Sequence, residues 1–413
     1  MIDCMKHSSY WLINVRLETG YQYYNGIITG TDTSIFHILI EDGKFAKIIP
    51  EATPINGDVI QYDAQKWLLL PTFKEMHIHI DKTYYGGPWK AVTPAQSIFE
   101  RFAEEKELLP QLLPTAKERA EKILDLLIGF GSTHVRTHVN IDPVVGLKNL
   151  EASLEALASF SGKISPEIVA FPQHGLLHSG VESLVREALK NGATHVGGVD
   201  PHSVDGNIEK SLDTIIEMAV DTNSEVDIHI HDRDHLGLFT MNRLADLTEQ
   251  AGLHNKVTVS HAFGFAGIPD IKAAELAERF AHLGIAVTTT VPIGKIIMPL
   301  PLLKEKGVQV SLGTDSLTDH WSPFGNGDNL EKAGRLAELY GYVDEWSLSQ
   351  SLGFITGGKT PLNKQGKQVW PAVGDDADMN LVKASCTAEA VARRATREAV
   401  FYNGTLLSGS LSL

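Results

Sequence analysis

The chain has 413 residues, and its 36 Lys+Arg against 51 Asp+Glu leave a net charge of −15. With 43% hydrophobic and 21% charged residues it is too apolar for disorder, and it has no broad basic face for nucleic acid or an anionic membrane. Its two cysteines, Cys4 and Cys386, exclude a disulfide scaffold, a Cys-rich zinc module and the zinc deaminase pattern built on paired cysteines.

The opening Met1–His7 has no apolar h-region, and no run reaches the roughly 18 apolar residues of a membrane span. The expectation is a cytoplasmic protein. Residues 9–70 read as short β-segments, Trp11–Leu17, Gly26–Ile28, Ser34–Glu41 and Phe45–Ile49, with Glu41-Asp42-Gly43-Lys44 as a hairpin turn. From 71 to 365, β-branched runs alternate with helical patterns. The strands are Trp67–Ile80, Thr133–Asn140, Ile168–His174, His195–Asp200, Val226–Asp232, Lys256–Ala262, Ala286–Val291 and Val308–Asp315. The helices lie near Pro114–Phe130, Val181–Asn191, Gly206–Thr222, Thr240–Ala251, Ile268–Leu283 and Gly327–Gly341. Eight β-then-α units predict an α/β fold, a closed parallel (β/α)8 TIM-like barrel. The turn-rich end, with Val373–Val382 and Phe401–Gly404, predicts that residues 1–70 and 366–413 build one small β-sandwich domain beside the barrel at 71–365.

Functional groups of such a barrel gather at the C-terminal ends of its strands. Strand one ends Met76-His77-Ile78-His79-Ile80-Asp81-Lys82, and period-2 alternation sets His77 and His79 on one face. Strand five ends with His229, His231 and Asp232, strand six with His261 and strand eight with Asp315. Alone, Asp315 reads equally as a helix N-cap and His261 as a core histidine. Together, imidazoles and a carboxylate from four strand ends point to a divalent cation.

These segments resemble the amidohydrolase superfamily over nearly the whole chain, and within it the cytosine deaminase / N-isopropylammelide isopropylamidohydrolase group. The likeness rests on Leu70–Thr83, Val135-Arg136-Thr137-His138-Val139, Val169–Gln173, Ser260-His261, and Asp315 followed by Trp321–Gly325. It implies one divalent metal ion, Zn²⁺ or Fe²⁺, held by His77, His79, His229 and Asp315. No lysine ends strand four at Val196–Asp200, so the bridge of binuclear relatives is absent. It also implies hydrolysis of a C–N bond in a planar heterocyclic amine: a metal-activated hydroxide attacks an amidine-like ring carbon and releases ammonia or an amine. Asp315 takes the water proton, His261 orients the attack, and Asp232 protonates the ring. The group's pattern has a Glu where Asp232 stands, which leaves His231 as the alternative donor. Gln173, Trp321 and His231 would bind the substrate. His138 reads as a supporting residue, Asp81 and Lys82 as orienting the first pair, and His174, His202, His235 and His320 as lying near the mouth. Two other readings are a cyclic or linear amide hydrolase using the same site, and an inactive scaffold; homo-oligomers are common among such barrels.

Overall fold

The computed structural model describes residues 9–294 and 296–413, so Cys4 and most of the opening segment lie outside the described residues. The N-terminal part supplies strands β1 (Ser9–Tyr24), β2 (Ile27–Glu41), β3 (Lys44–Pro50), β4 (Gln61–Asp63) and β5 (Leu68–Pro71). The barrel strands are β6 (Phe73–Ile78), β7 (Ser132–Asn140), β8 (Ser165–Phe171), β9 (His195–Val199), β10 (Glu225–His229), β11 (Val257–Ser260), β12 (Ala286–Thr289) and β13 (Val310–Leu312). The C-terminal part adds β14 (Met379–Val382), β15 (Arg397–Tyr402) and β16 (Thr405–Gly409).

Strands β6 to β13 form one parallel sheet in sequence order. Its ends meet: Ile78 bridges Asp315, the Asp315 N–H donates to the His77 carbonyl at 2.6 Å, and the His79 N–H to the Asp315 carbonyl at 3.2 Å. Closure needs Gly313, because a Cβ there would sit 2.5 Å from the His77 Cβ and 2.7 Å from its backbone N and O. The eight-strand expectation is met, with helices α1 (Ile98–Leu112), α2 (Ala116–Gly129), α3 (Lys148–Ser159), α4 (Glu182–Lys190), α5 (Ile208–Thr222), α6 (Asp234–Gln250), α7 (Asp270–Leu283), α8 (Leu300–Glu305) and α9 (Asn329–Tyr340) between or after the strands.

Alternation decides what fills the barrel. On β10, Val226 and Ile228 join the apolar layer beneath the helices, while Asp227 and His229 reach inward. On β11, Val257 and Val259 join that layer while Thr258 and Ser260 bond inside. The interior is therefore a polar column inside an apolar sleeve.

The second sheet runs β16-β15-β14-β5-β1-β2-β3, with β4 on β1, and draws on both ends of the chain. It curls around its own core: Tyr10, Leu12, Ile38 and Phe45 meet Trp370, Met379, Phe401 and Leu406. Here the structure corrects the reading of Trp67–Ile80 as one strand. Leu68–Pro71 pairs with β14, Phe73–Ile78 pairs with β7, and the chain crosses between the two sheets at Thr72. An apolar run has the same local pattern in either sheet; only its partners differ.

Helices α1 and α3 are absent from the sequence reading for a shared reason. The buried stripe of α1 is Arg101, Phe102, Glu105 and Leu109, and that of α3 includes Asn149 and Ser153. Polar residues at inward positions erase the hydrophobic period. An N-cap does mark the start of α1: Ser97 Oγ accepts from the Glu100 N–H at 3.2 Å.

Candidate metal centre

The strand ends bring His77, His79, His229, His261 and Asp315 together. Asp315 Oδ1 lies 3.4 Å from His77 Nε2 and 3.2 Å from His79 Nε2, and its Oδ2 lies 3.8 Å from His261 Nε2. Among the described residues, two sets of three offer ligand atoms within 4.8 Å of one another: His77, His79 and Asp315, and His77, His138 and His229. His138, read as a supporting residue, thus packs among the ligand candidates, its ring centroid 4.0 Å from that of His77. His261 and Asp315 follow their strands in the left-handed region, with φ of 65° and 64°, a costly conformation for non-glycine residues that concentrates at functional sites.

Two nitrogens of this cluster are committed and five others have no partner. His77 Nδ1 lies 2.9 Å from Ser260 Oγ, and His79 Nδ1 3.0 Å from the His138 carbonyl, which can only accept. His77 Nε2 and both ring nitrogens of His138 and of His229 are buried without a hydrogen-bond partner. Burial, then the neighbouring imidazoles, hold His138 and His229 well below the usual histidine range; burial and His231 do the same for His261. Burial and the Lys82 charge lower His79 to about 4. Neutral imidazoles with unpartnered nitrogens around a carboxylate form a donor set fitted to a divalent cation.

The proton-handling residues divide. Asp232 does not line the cavity at the centre; its Oδ1 accepts from Ser203 and its Oδ2 is buried without a partner. His231 does line it, with Nδ1 2.8 Å from Asp200 Oδ2. Burial alone would lower His231, but the Asp200 charge and hydrogen bond raise it above its ordinary value.

Gln173, Trp321, Ser316 and Lys82 line the same cavity, about 70 Å³ in volume. It adjoins a cavity of about 840 Å³ that shares Asp315, Ser316 and Trp321 and extends to Phe324, Lys332 and Arg335.

One residue the sequence reading missed organises this wall. Glu105 of α1 is fully buried; its Oε1 accepts from Lys82 Nζ at 3.2 Å, His320 Nε2 at 2.8 Å and Trp321 Nε1 at 2.9 Å. Its Oε2 pairs with His174 Nε2 at 2.9 Å. Lys82 also donates to Gln173 Oε1 at 2.6 Å. Lys82 is therefore bonded to Glu105 and Gln173 rather than to the first histidine pair. Asp81 accepts from the Asn140 N–H and from Asn149 Nδ2 instead. His202 and His235 are exposed.

A model described as the amidohydrolase family matches residues 106–411. The chain is 47% identical over 406 residues, 98% of its length and 88% of the relative's, to the uncharacterized protein YahJ of Escherichia coli. It is 30% identical over 387 residues, 91% of its length and 94% of the relative's, to N-isopropylammelide isopropyl amidohydrolase of a Pseudomonas species. The crystal structure of N-isopropylammelide isopropylaminohydrolase from Burkholderia multivorans superposes with a TM-score of 0.85 at 27% identity, covering 97% of this chain and 98% of that one.

Proposed function

Because the chain belongs to the amidohydrolase family, enzymes that hydrolyse C–N bonds, we propose that it releases ammonia or an amine from a planar nitrogen heterocycle. The observation that carries this reading is the meeting of His77 Nε2 and the His229 ring, all buried without hydrogen-bond partners, with the Asp315 carboxylate beside a wall bearing Gln173 and Trp321. His77, His79, His229 and Asp315 would hold one Zn²⁺ or Fe²⁺. Such an ion, when bound, lowers the pKa of water toward 7 and makes it a nucleophile at neutral pH.

The chain's own groups do the rest. Asp315 Oδ2 accepts the water's proton, and His261 Nε2 beside it orients the attack on the ring carbon. His231, whose protonated form Asp200 favours, donates to the ring nitrogen and replaces Asp232 in that role. An ammonium has only donors, so Lys82 must face the oxygen of Gln173, leaving the Gln173 N–H2 for an acceptor on the ligand. The substrate edge is thus a ring carbonyl or ring nitrogen. Trp321, tied at Nε1 to Glu105, offers a flat apolar face for the ring. The larger cavity gives a substituent room beyond Asp315.

The test is release of ammonia or amine from aminotriazines, cytosine and isoguanine by Zn²⁺- or Fe²⁺-loaded protein. Turnover of an oxo-substituted member is expected; ring opening to an acid, or no turnover of any, overturns the reading.

A further inference from the structure

We propose that Ser260 and Asp227 are positioning residues that lock His77 in the tautomer carrying hydrogen on Nδ1, so that Nε2 presents its lone pair to the cation. This rests on the metal reading above. It follows from counting hydrogens along one buried chain of contacts.

Asp227 lies two residues below His229 on the inner face of β10 and is fully buried. Arg136 NH1 donates to its Oδ2 at 2.9 Å, and the Ser260 hydroxyl donates to its Oδ1 at 2.6 Å. Arg136 is itself held by Thr258 Oγ1 at 2.9 Å and Glu167 Oε2 at 2.6 Å. A carboxylate only accepts, and a serine hydroxyl has one hydrogen. That hydrogen is spent on Asp227, so at 2.9 Å from His77 Nδ1 the serine oxygen must accept. Nδ1 therefore carries the ring hydrogen and Nε2, 3.4 Å from Asp315 Oδ1, is bare. The other tautomer would set two lone pairs against each other, or turn the hydroxyl away and strip a fully buried carboxylate oxygen of its donor. The chain runs down the polar column, so the guanidinium of Arg136 acts on His77 through two intermediates. His79 reaches the same state directly through the His138 carbonyl.

The experiment measures Zn²⁺ affinity of metal-stripped full-length protein. Ser260→Ala is expected to weaken binding about 10- to 100-fold, the usual effect of losing a group that orients a ligand. Ser260→Thr, which keeps the hydroxyl, is expected to restore most of it. Wild-type affinity in Ser260→Ala overturns the proposal while leaving the metal reading intact. A wild-type protein that takes up no stoichiometric metal overturns both. Should Ser260→Ala not fold, ¹⁵N NMR of histidine-labelled wild-type apoprotein decides, with His77 assigned by its loss in His77→Asn. A protonated Nδ1 is expected, and a protonated Nε2 overturns the assignment.

Discussion

Two buried polar clusters share the barrel mouth and obey opposite rules. Around Glu105 both carboxylate oxygens are engaged, by Lys82, His320 and Trp321 on one side and His174 on the other. Around His77 and His229 the nitrogens facing the centre have no partner. Burial alone would raise Glu105, yet Lys82 and the two histidines hold it well below the carboxylate range. Burial, with the neighbouring imidazoles, keeps His229 neutral. A carboxylate with both oxygens engaged fixes the groups around it, whereas buried nitrogens without partners leave room for a ligand.

The largest break expected is in the unsaturated cluster. His77→Ala or His229→Ala should lose both metal and turnover, read by metal analysis and by amine release; retention of metal would remove those residues from the ligand set. Asp315→Asn should keep much of the metal while turnover falls roughly 10²- to 10⁴-fold, and near-wild-type rates would remove its proton role. Glu105→Gln should instead leave metal content unchanged and act on stability, by stranding the buried Lys82 charge. A loss of about 3–5 kcal/mol in denaturant unfolding is expected, and a parallel loss of metal would show that the clusters are not independent.

Glu18 sharpens the contrast because it is only half satisfied. Its Oε1 accepts from the Thr387 N–H at 2.5 Å and its buried Oε2 has no partner. Burial pushes it from 4.5 up to about 7. Below pH 4.5 this group adds no pH dependence. Between 4.5 and 7 the folded chain keeps a proton that the unfolded chain has lost, so stability falls as pH rises, and the penalty is complete above 7. Glu18→Gln should therefore gain on the order of 2–3 kcal/mol more at pH 8 than at pH 4 relative to wild type. Equal effects at both would refute the half-satisfied reading. The smallest change is in pH profile: Asp200→Asn removes the charge that raises His231. The high-pH limb of activity, where the proton donor is lost, should move to lower pH, and an unmoved limb would point back to Asp232.

The order of strands, the barrel they form and the histidine pairs on its inner face were legible in the sequence. Each depends on local geometry: alternate residues share a face, so His77 and His79, or His229 and His231, are neighbours wherever the strand goes. Extended one step further, the same rule reaches Asp227 and, on β7, Arg136 below His138. Tertiary structure alone decided the rest. It split Leu68–Ile78 between two sheets by choice of partners. It chose His231 over Asp232 to face the cavity and set a carboxylate of α1 among donors as far as 216 positions away. A charged residue at a core position looks like a surface residue in sequence, because its burial is made favourable by contacts between loops distant along the chain.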